Sequence, residues 1–308
     1  MYLFKTEING WDSWGKLYQT ISTFEPLIKS IFVKEKLPFT KIEHCTPGTN
    51  AVFKVGDYAI KIFAPKESGI DSTADFETES FAIHRANTLG VSVPKLLASG
   101  FIQDKYRFSY MIMDYINGTE INKLNKHLTY EEKVTIGHRL RLITDAINTP
   151  CGSFNGIDVI RDKDRQNRWE KYSEHFRKER LDYIHSHDFG EKVFVHGDLN
   201  GDNLLLTHDQ KLYIIDFAEA VLAPAVYEHA LIACELFRFD KAFMIGYFGD
   251  YNMDEITELV FNGILIHDFG GDVIEQYVGQ LSEFDSLKKL RERLYWSIKH
   301  NQTNNYNH

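Results

Sequence analysis

Two short hairpins and a helix stand out in the pattern of apolar and polar positions. Residues 52–55 (VFKV) and 58–63 (YAIKIF) flank Gly56-Asp57, a turn that favours a tight β-hairpin. Residues 204–206 and 212–215 are short apolar runs joined by the polar turn His208-Asp209-Gln210, and predict a second hairpin. Residues 73–89 carry apolar positions at helical spacing, opened by a Ser72-x-x-Asp75 capping pattern and stopped by Gly90. Within the first hairpin Ala59, Lys61 and Phe63 share one face, and Tyr58, Ile60 and Ile62 the other. A lysine with apolar neighbours on both faces is costly to bury unless its ammonium meets an anion. On the helix, Glu79 lies three residues after Phe76, three before Ala82 and four before Ile83, so it shares their apolar face. Glu77 sits about 200° around the helix from Glu79, on the solvent side. Helical geometry therefore selects Glu79 as the partner of Lys61.

The second hairpin is flanked by polar residues of a particular kind. His196-Gly197-Asp198 precedes it, with Asn203 five residues after Asp198, and Asp216-Phe217 follows it. The spacing matches H-R-D-L-x-x-x-N and D-F-G, with Gly197 in place of Arg and Ala218 in place of the last Gly. A hairpin between them brings Asn203 and Asp216 to the same end. Transfer of a phosphoryl group is mostly a matter of positioning and charge neutralisation. One carboxylate must orient an acceptor hydroxyl and take its proton, the role that suits Asp198. Two further oxygen ligands must hold Mg²⁺ against the phosphates, and Asn203 and Asp216 supply them. His196 is expected to hold the loop rather than to donate protons. The run Ala59-Ile60-Lys61 also matches the end of V-A-I-K, whose lysine pairs with nucleotide phosphates and a helix glutamate.

With these motifs the chain resembles the aminoglycoside phosphotransferases and their relatives, small-molecule kinases with a protein-kinase-like fold. Their HGDxxxxN loop and IDF or IDW strand correspond to His196-Gly197-Asp198 with Asn203 and to Ile215-Asp216-Phe217. The stretch 79–94 and Lys95-Leu96-Leu97 look like the family's helix and its exit into the next strand. Met113-Asp114-Tyr115-Ile116 looks like the hinge whose backbone reads the purine, which implies nucleotide binding at Met113 and Tyr115. The loop Thr46-Pro47-Gly48-Thr49-Asn50 stands where phosphates are covered. It has one glycine and no G-x-G-x-x-G, so its Gly48, Thr49 and Asn50 would act through backbone amides. Residues 215–220, Tyr227-Glu228, the 152–156 loop and Trp169 are similar to stretches of hygromycin B phosphotransferase. Glu228 stands where many relatives carry Asp, so no catalytic role is carried onto it. Glu219 reads either as a second metal carboxylate or as an exposed residue of the following turn.

Composition narrows the setting. Aromatic content of 14% and hydrophobic content of 43% exclude a disordered chain. Three widely spaced cysteines without C-x-x-C argue against a disulfide framework or zinc site and for a reducing compartment. The N-terminus lacks the pattern of a secretion signal, and no apolar run is long enough to cross a bilayer. A cytoplasmic protein with no membrane partner is expected.

Charge is uneven. Residues 242–287 hold nine acidic residues and no Lys or Arg, a charge equal to the net −9 of the whole chain. Two readings stand: an attractor for a polycationic acceptor, or solvated helix faces. Asp268 and Asp272 share either a helix face or, because of Gly270-Gly271, a loop. Residues 161–180 mix eight basic with five acidic residues, which predicts a solvated helix laced with ion pairs rather than a nucleic-acid surface. His185 and His187 read as exposed, and residues 301–308 as a frayed tail.

The expected fold is α+β and bilobal. A nucleotide-binding lobe over residues 1–114 would hold an antiparallel sheet with the Glu79 helix packed on it. A mainly helical lobe over 115–308 would carry the catalytic hairpin and the acceptor pocket. ATP or GTP would lie between them, its phosphates directed to Lys61. The expected activity is Mg²⁺-dependent phosphorylation of a hydroxyl on a small, cationic molecule, with an aminoglycoside the leading acceptor. Two other readings are a metabolic kinase acting on an amino alcohol, sugar or amino-acid hydroxyl, and a nucleotide-binding pseudokinase. Intact Lys61, Asp198, Asn203 and Asp216 argue against the last.

Overall fold

A computed structural model describes residues 2–46 and 48–300, so Pro47 of the phosphate-loop candidate and the 301–308 tail lie outside the described residues. The chain divides into two compact units, Met1–Asn117 and Gly118–His308.

The first unit is built on an antiparallel sheet. Its strands β1 (Ile42–His44), β2 (Ala51–Val55), β3 (Tyr58–Ile62), β4 (Leu96–Gln103) and β5 (Arg107–Asp114) lie in the order β1-β2-β3-β5-β4. The β2–β3 hairpin turns at Gly56-Asp57 with Val55 opposite Tyr58, as the alternation predicts. Helices α1 (Trp11–Gly15), α2 (Ile21–Lys34) and α3 (Thr73–Thr88) complete the unit. The buried residues Phe24, Leu27, Ile28 and Ile31 of α2 recur at helical spacing and join a fully enclosed aromatic cluster with Phe4, Trp14, Phe53 and Phe108. Edge-to-face contacts run through it, with Phe4 and Trp14 at 5.2 and 5.8 Å from Phe24. α3 packs on β4 and β5 and buries Glu79.

The Ser72-x-x-Asp75 capping pattern is not formed: Ser72 makes no side-chain cap. Its hydroxyl donates instead to the Ala64 carbonyl at 2.6 Å, and so ties the start of the helix to the end of the hairpin. A buried carbonyl outcompetes a helix amide that solvent can serve.

The second unit begins with β6 (Gly118–Glu120) and α4 (Ile121–Leu124), followed by α5 (Tyr130–Ile147), whose Thr129–Glu132 capping box is complete. Helices α6 (Lys163–Asn167) and α7 (Glu174–Ser186) come next, then strands β7 (Lys192–Val195), β8 (Leu204–Thr207), β9 (Leu212–Ile214) and β10 (Val221–Pro224). The remaining helices are α8 (Val226–Leu231), α9 (Lys241–Phe248), α10 (Met253–Ile266), α11 (Gly270–Val273) and α12 (Leu287–His300). α5 and α9 pack closely because a Cβ at Gly137 would collide with the Phe243 carbonyl, and one at Gly246 with that of Val134. The β8–β9 hairpin extends through β6 into a three-stranded sheet, while β7 pairs separately with β10. The loop 196–203 therefore leaves one small sheet and enters another.

The segment 161–180 differs from the expected continuous solvated helix. It breaks into α6 and α7 around turns at 168–173. Arg180 is buried, its guanidinium 3.9 Å over the Trp169 ring and its Nε donating to the Leu265 carbonyl at 2.8 Å. Arg165, Arg168 and Lys171 of the segment reach across to the acidic stretch. No helix among the described residues is long and apolar enough to cross a membrane.

Truncation of Phe24 to Ala should cost about 3–5 kcal/mol, because it removes the ring that Phe4, Trp14, Phe53 and Phe108 enclose. Urea denaturation followed by tryptophan fluorescence measures this directly; a midpoint unchanged from wild type would mean that the cluster does not hold the first unit together.

Candidate active site

Lys61 and Glu79 meet inside the first unit. The Lys61 ammonium donates to Glu79 Oε2 at 2.6 Å, with side-chain exposures of 6% and 2%. A pair this buried is poor evidence of added stability, since two desolvated charges roughly offset their attraction. It does fix an ammonium at a defined point of strand β3. Glu77 is exposed.

The other candidates of this unit are tied to their own sheet. Asn50 is buried, and its Oδ1 accepts from the Ala64 amide at 3.1 Å. The Thr49 carbonyl accepts from Trp14 Nε1 at 3.0 Å, and Gly48 and Thr49 are exposed. The loop is thus anchored at its second half, and Asn50 serves the sheet with its side chain. Met113 is buried opposite Ala59, while the Tyr115 amide donates to the Asp57 carbonyl at 2.8 Å.

In the second unit the loop between β7 and β8 is organised around Asp198. Asn200 Nδ2 donates to Asp198 Oδ1 at 3.0 Å, and Asn203 Nδ2 donates to both Asp198 Oδ2 and the Asp198 carbonyl at 2.9 Å. Asn200 Oδ1 in turn accepts from the amides of Asp202 and Asn203 at 2.9 and 3.2 Å. With Nδ2 turned toward Asp198, the Asn203 amide presents its oxygen on the opposite side. The Ile215 amide donates to the Asn203 carbonyl at 3.0 Å, which continues the hairpin by one step, pairs Asn203 with Ile215 and leaves Asp216 one residue beyond at the same hairpin end. Asp216 is exposed and has φ +61°, a left-handed conformation costing about 1–2 kcal/mol outside glycine. Glu219 is an exposed turn residue.

Beneath this loop lies a buried support. His196 is fully enclosed; its Nδ1 accepts from the Asp198 amide at 3.2 Å, and its Nε2 lies 3.0 Å from the Ile215 carbonyl. An imidazole that accepts at Nδ1 carries its proton at Nε2, so the ring bridges the start of the loop to the strand leading to Asp216. The His196 amide donates to Glu228 Oε1, and the Gly197 amide is also bonded to this carboxyl. Gly197 has φ +83°, and a Cβ there would run into the Glu219 carbonyl. No other residue fits that position. Asn200 and Glu235 were not singled out from the sequence, and Glu228 was noted there without a role. Glu228 and Glu235 lie seven residues apart in the apolar run 226–236, and acids at that spacing on a buried helix are the signal that could have found them.

Electrostatics follow from this enclosure. Desolvation, followed by the neighbouring Asp216 charge, pushes the Asp198 carboxyl up to about 7 although it is partly open to solvent. Desolvation also pushes Glu228 up to about 8, against the pull of the His196 and Gly197 amides. An Asp near 7 is poised to accept a proton at neutral pH.

A cavity of about 290 Å³ opens beside Asp198, lined by Leu231, Glu235, Phe269, Asp272, Val273 and Gln276. Leu231 and Glu235 come from α8 and a π-helical turn, Ile232–Leu236; Gln276 belongs to a second such turn, Ile274–Val278. Glu235 is hydrogen-bonded to the Tyr277 hydroxyl, and desolvation raises its carboxyl. Asp272 lies in α11, whereas Asp268 precedes it in a turn, which resolves their placement.

The acidic stretch 242–287 is largely paired within the second unit. Arg165 and Arg168 hold Asp268 Oδ2 at 3.1 and 3.0 Å, and Lys171 holds both Asp272 and Glu275. Glu258 pairs with Arg291 and Asp285 with Lys289, while Glu255 and Glu283 complete capping boxes. Asp250 and Asp254 are exposed. Neither the attractor nor the simple solvated-face reading describes this. Most of these carboxylates have partners inside the fold, and the clustered cations of 161–180 supply several of them.

As for metal binding, no group of three or more His, Cys, Asp or Glu side chains converges on a metal site among the described residues. Mg²⁺ commonly takes only one or two protein ligands and completes its octahedron with water and phosphate. The Asn203 amide oxygen and the Asp216 carboxylate are hard donors of the type it accepts.

Residues 48–259 match the phosphotransferase enzyme family designated APH, a span of well over half the chain. The chain belongs to this family. Its fold is shared with an aminoglycoside 2'-phosphotransferase-IIIa mutant bound to GDP (TM-score 0.58, 16% identity, covering 88% of this chain and 92% of that one). It is shared also with APH(2")-IIa in a ternary complex with streptomycin and ATP (TM-score 0.56, 14% identity, 83% and 96%). A third such structure is the choline kinase LicA from Streptococcus pneumoniae (TM-score 0.55, 16% identity, 90% and 98%). A search of curated protein sequences finds no match. The kinase-like α+β fold and the class of small-molecule phosphotransferase are thereby shown, as the motifs implied.

The raised Glu228 carboxyl has a pH signature. A folded value near 8 against an ordinary 4.5 means that the folded state holds this proton between those limits while the unfolded state has lost it. Its contribution is fully present below about 4.5 and declines up to about 8. In metal-free protein, Glu228→Gln should flatten the fall in melting temperature between pH 5 and pH 8 relative to wild type. Parallel profiles for the two proteins would show that Glu228 is not held protonated.

Proposed function

We propose that this protein is an ATP- or GTP-dependent kinase that phosphorylates a hydroxyl of a small cationic molecule at Asp198, with Mg²⁺ held by Asn203 and Asp216. The observation that carries the reading is the Asp198 carboxylate: it is oriented by Asn200 and Asn203, raised to about 7, and opens on a cavity lined by two further carboxylates. In the reaction the acceptor hydroxyl passes its proton to Asp198 while its oxygen bonds to the γ-phosphorus. The bond from that phosphorus to the bridging oxygen breaks, and the nucleoside diphosphate leaves. Mg²⁺ would neutralise the phosphate oxygens as they separate. Lys61, fixed by Glu79, supplies a further positive charge to the phosphates. The backbone of Gly48, Thr49 and Asn50 covers them, and the Met113–Tyr115 backbone lies along the purine. His196 and Glu228 hold the loop without touching substrate. The cytoplasm, where the nucleotide is abundant, is the proposed location.

For the acceptor, Glu235 and Asp272 beside Asp198 favour an amine-bearing alcohol. An aminoglycoside is the first reading: one of its amines suits Glu235, while another must compete with Lys171 for Asp272, and the ternary streptomycin complex of a fold relative supports it. A compact amino alcohol is the second reading, favoured by the cavity of about 290 Å³, which lies at the low end for ligand sites.

Coupled turnover with ATP and GTP, run against a panel of aminoglycosides including hygromycin B and against choline and ethanolamine, tests the proposal. One class should stimulate turnover, and Asp198→Asn should lower kcat by at least ~10³-fold with nucleotide affinity nearly unchanged. Turnover surviving in the variant would remove Asp198 as the base; turnover with no acceptor would remove the kinase reading. Lys61→Ala should raise the nucleotide KM and lower kcat, with Glu79→Ala showing the same effect more mildly. An inert Glu79 variant would mean that the buried pair does not position the nucleotide.

A further inference from the structure

One carboxylate of the cavity wall beside Asp198, that of Asp272, is held by a cation of the protein's own from outside the lining. Lys171 lies in the turn between α6 and α7 and donates to the carboxylates of Asp272 and of Glu275, the latter at 2.6 Å. Asp272 lines the cavity with Asp198 and Glu235, and Glu275 begins the next turn of the chain beyond it. The Lys171 side chain is 28% exposed and its two partners 46% and 48%, so the three groups lie at the surface of the unit rather than in its core. Both carboxylates raise the lysine's pKa against its desolvation, so it stays charged across the physiological range.

The position of Lys171 is set by its neighbours. Trp169 is buried, and its ring packs on Tyr172 at 5.3 Å and Phe176 at 6.4 Å. The Tyr172 hydroxyl donates to the Gly271 carbonyl at 2.7 Å, one residue before Asp272. Arg165 and Arg168 fasten the same segment to Asp268. The lysine is therefore carried on a turn bound to the cavity wall at several points.

Resting on the reading of this cavity as the acceptor site, we propose that Lys171 is a specificity-determining residue that limits the number of ammonium groups an acceptor can bring. Its ammonium takes the Asp272–Glu275 pair, the place a second substrate amine would occupy. Glu235, held by the Tyr277 hydroxyl, is left as the carboxylate for a first amine next to Asp198. A polyamine must displace Lys171 from two carboxylates, or meet its positive charge; a monoamine does neither. Removing the lysine converts the wall into a site for a polycation, which is negative discrimination built by charge.

Titration calorimetry of the full chain with ethanolamine (one ammonium) and spermidine (three) tests this without relying on turnover. Lys171→Met should tighten spermidine binding about tenfold at low salt and leave ethanolamine within about twofold, while Lys171→Arg retains wild-type values. Adding Glu275→Gln to Lys171→Met should take back much of the gain, and 0.5 M salt should shrink it. Equal spermidine affinity in wild type and Lys171→Met, with Lys171→Met folded by circular dichroism, overturns the proposal; so does tightening of both amines alike. Failure of the kinase reading shows separately, as wild-type protein that transfers phosphate to no hydroxyl.

Discussion

The arrangement of the second unit depends on one buried carboxyl. Glu228 sits fully enclosed on α8 and receives the amides of His196 and Gly197 at the point where the chain leaves β7. Those amides have left the β7–β10 ladder, and without an acceptor each would carry the cost of an unpaired buried group, about 1–3 kcal/mol. The carboxyl thus allows the chain to turn sharply at Gly197, where the left-handed backbone and the adjacent Glu219 carbonyl admit only glycine. Asp198 follows at once from that turn, so its direction is set by groups that never face solvent.

From there a second set of contacts converts a loop into a rigid donor array. Asn200 and Asn203 orient both oxygens of Asp198, and the His196 ring links the loop to the strand that ends at Asp216. Preorganisation of this kind is what phosphoryl transfer asks of a protein, since the covalent change is small and the positioning demand large. The same enclosure that fixes Asp198 also desolvates it. Its raised carboxyl is a consequence of the support, not a separate device. In the first unit the buried Lys61–Glu79 pair follows the same logic: the fold accepts a pair of small net benefit because it places an ammonium on a rigid strand.

Charge is distributed by tertiary pairing more than by sequence blocks. A run of nine acids without a single cation looks like a surface waiting for a polycation, yet Asp268, Asp272 and Glu275 are met by Arg165, Arg168 and Lys171 from a segment about a hundred residues earlier. The basic segment in turn is no uniform solvated helix, because Trp169, Tyr172 and Phe176 pull it onto the unit and break it into two. Opposite blocks that seem independent in the sequence are the two sides of one contact.

The sequence by itself determined the hairpins, the α3 face that selects Glu79 over Glu77, and the joining of Asn203 to Asp216 at one hairpin end. It also determined the family, through HGDxxxxN and IDF. These are local matters: period-2 and period-3.6 patterns and short turns depend on neighbours within a few residues. It did not determine that Ser72 would bond Ala64 rather than cap its helix, that Glu228 would hold the loop, or that the acidic stretch would be neutralised from within. Each of those rests on groups brought together across tens of residues, where the competition among possible partners is settled by burial. Only the tertiary structure decides which polar groups lose water, and those that do must take whatever partner the packing supplies.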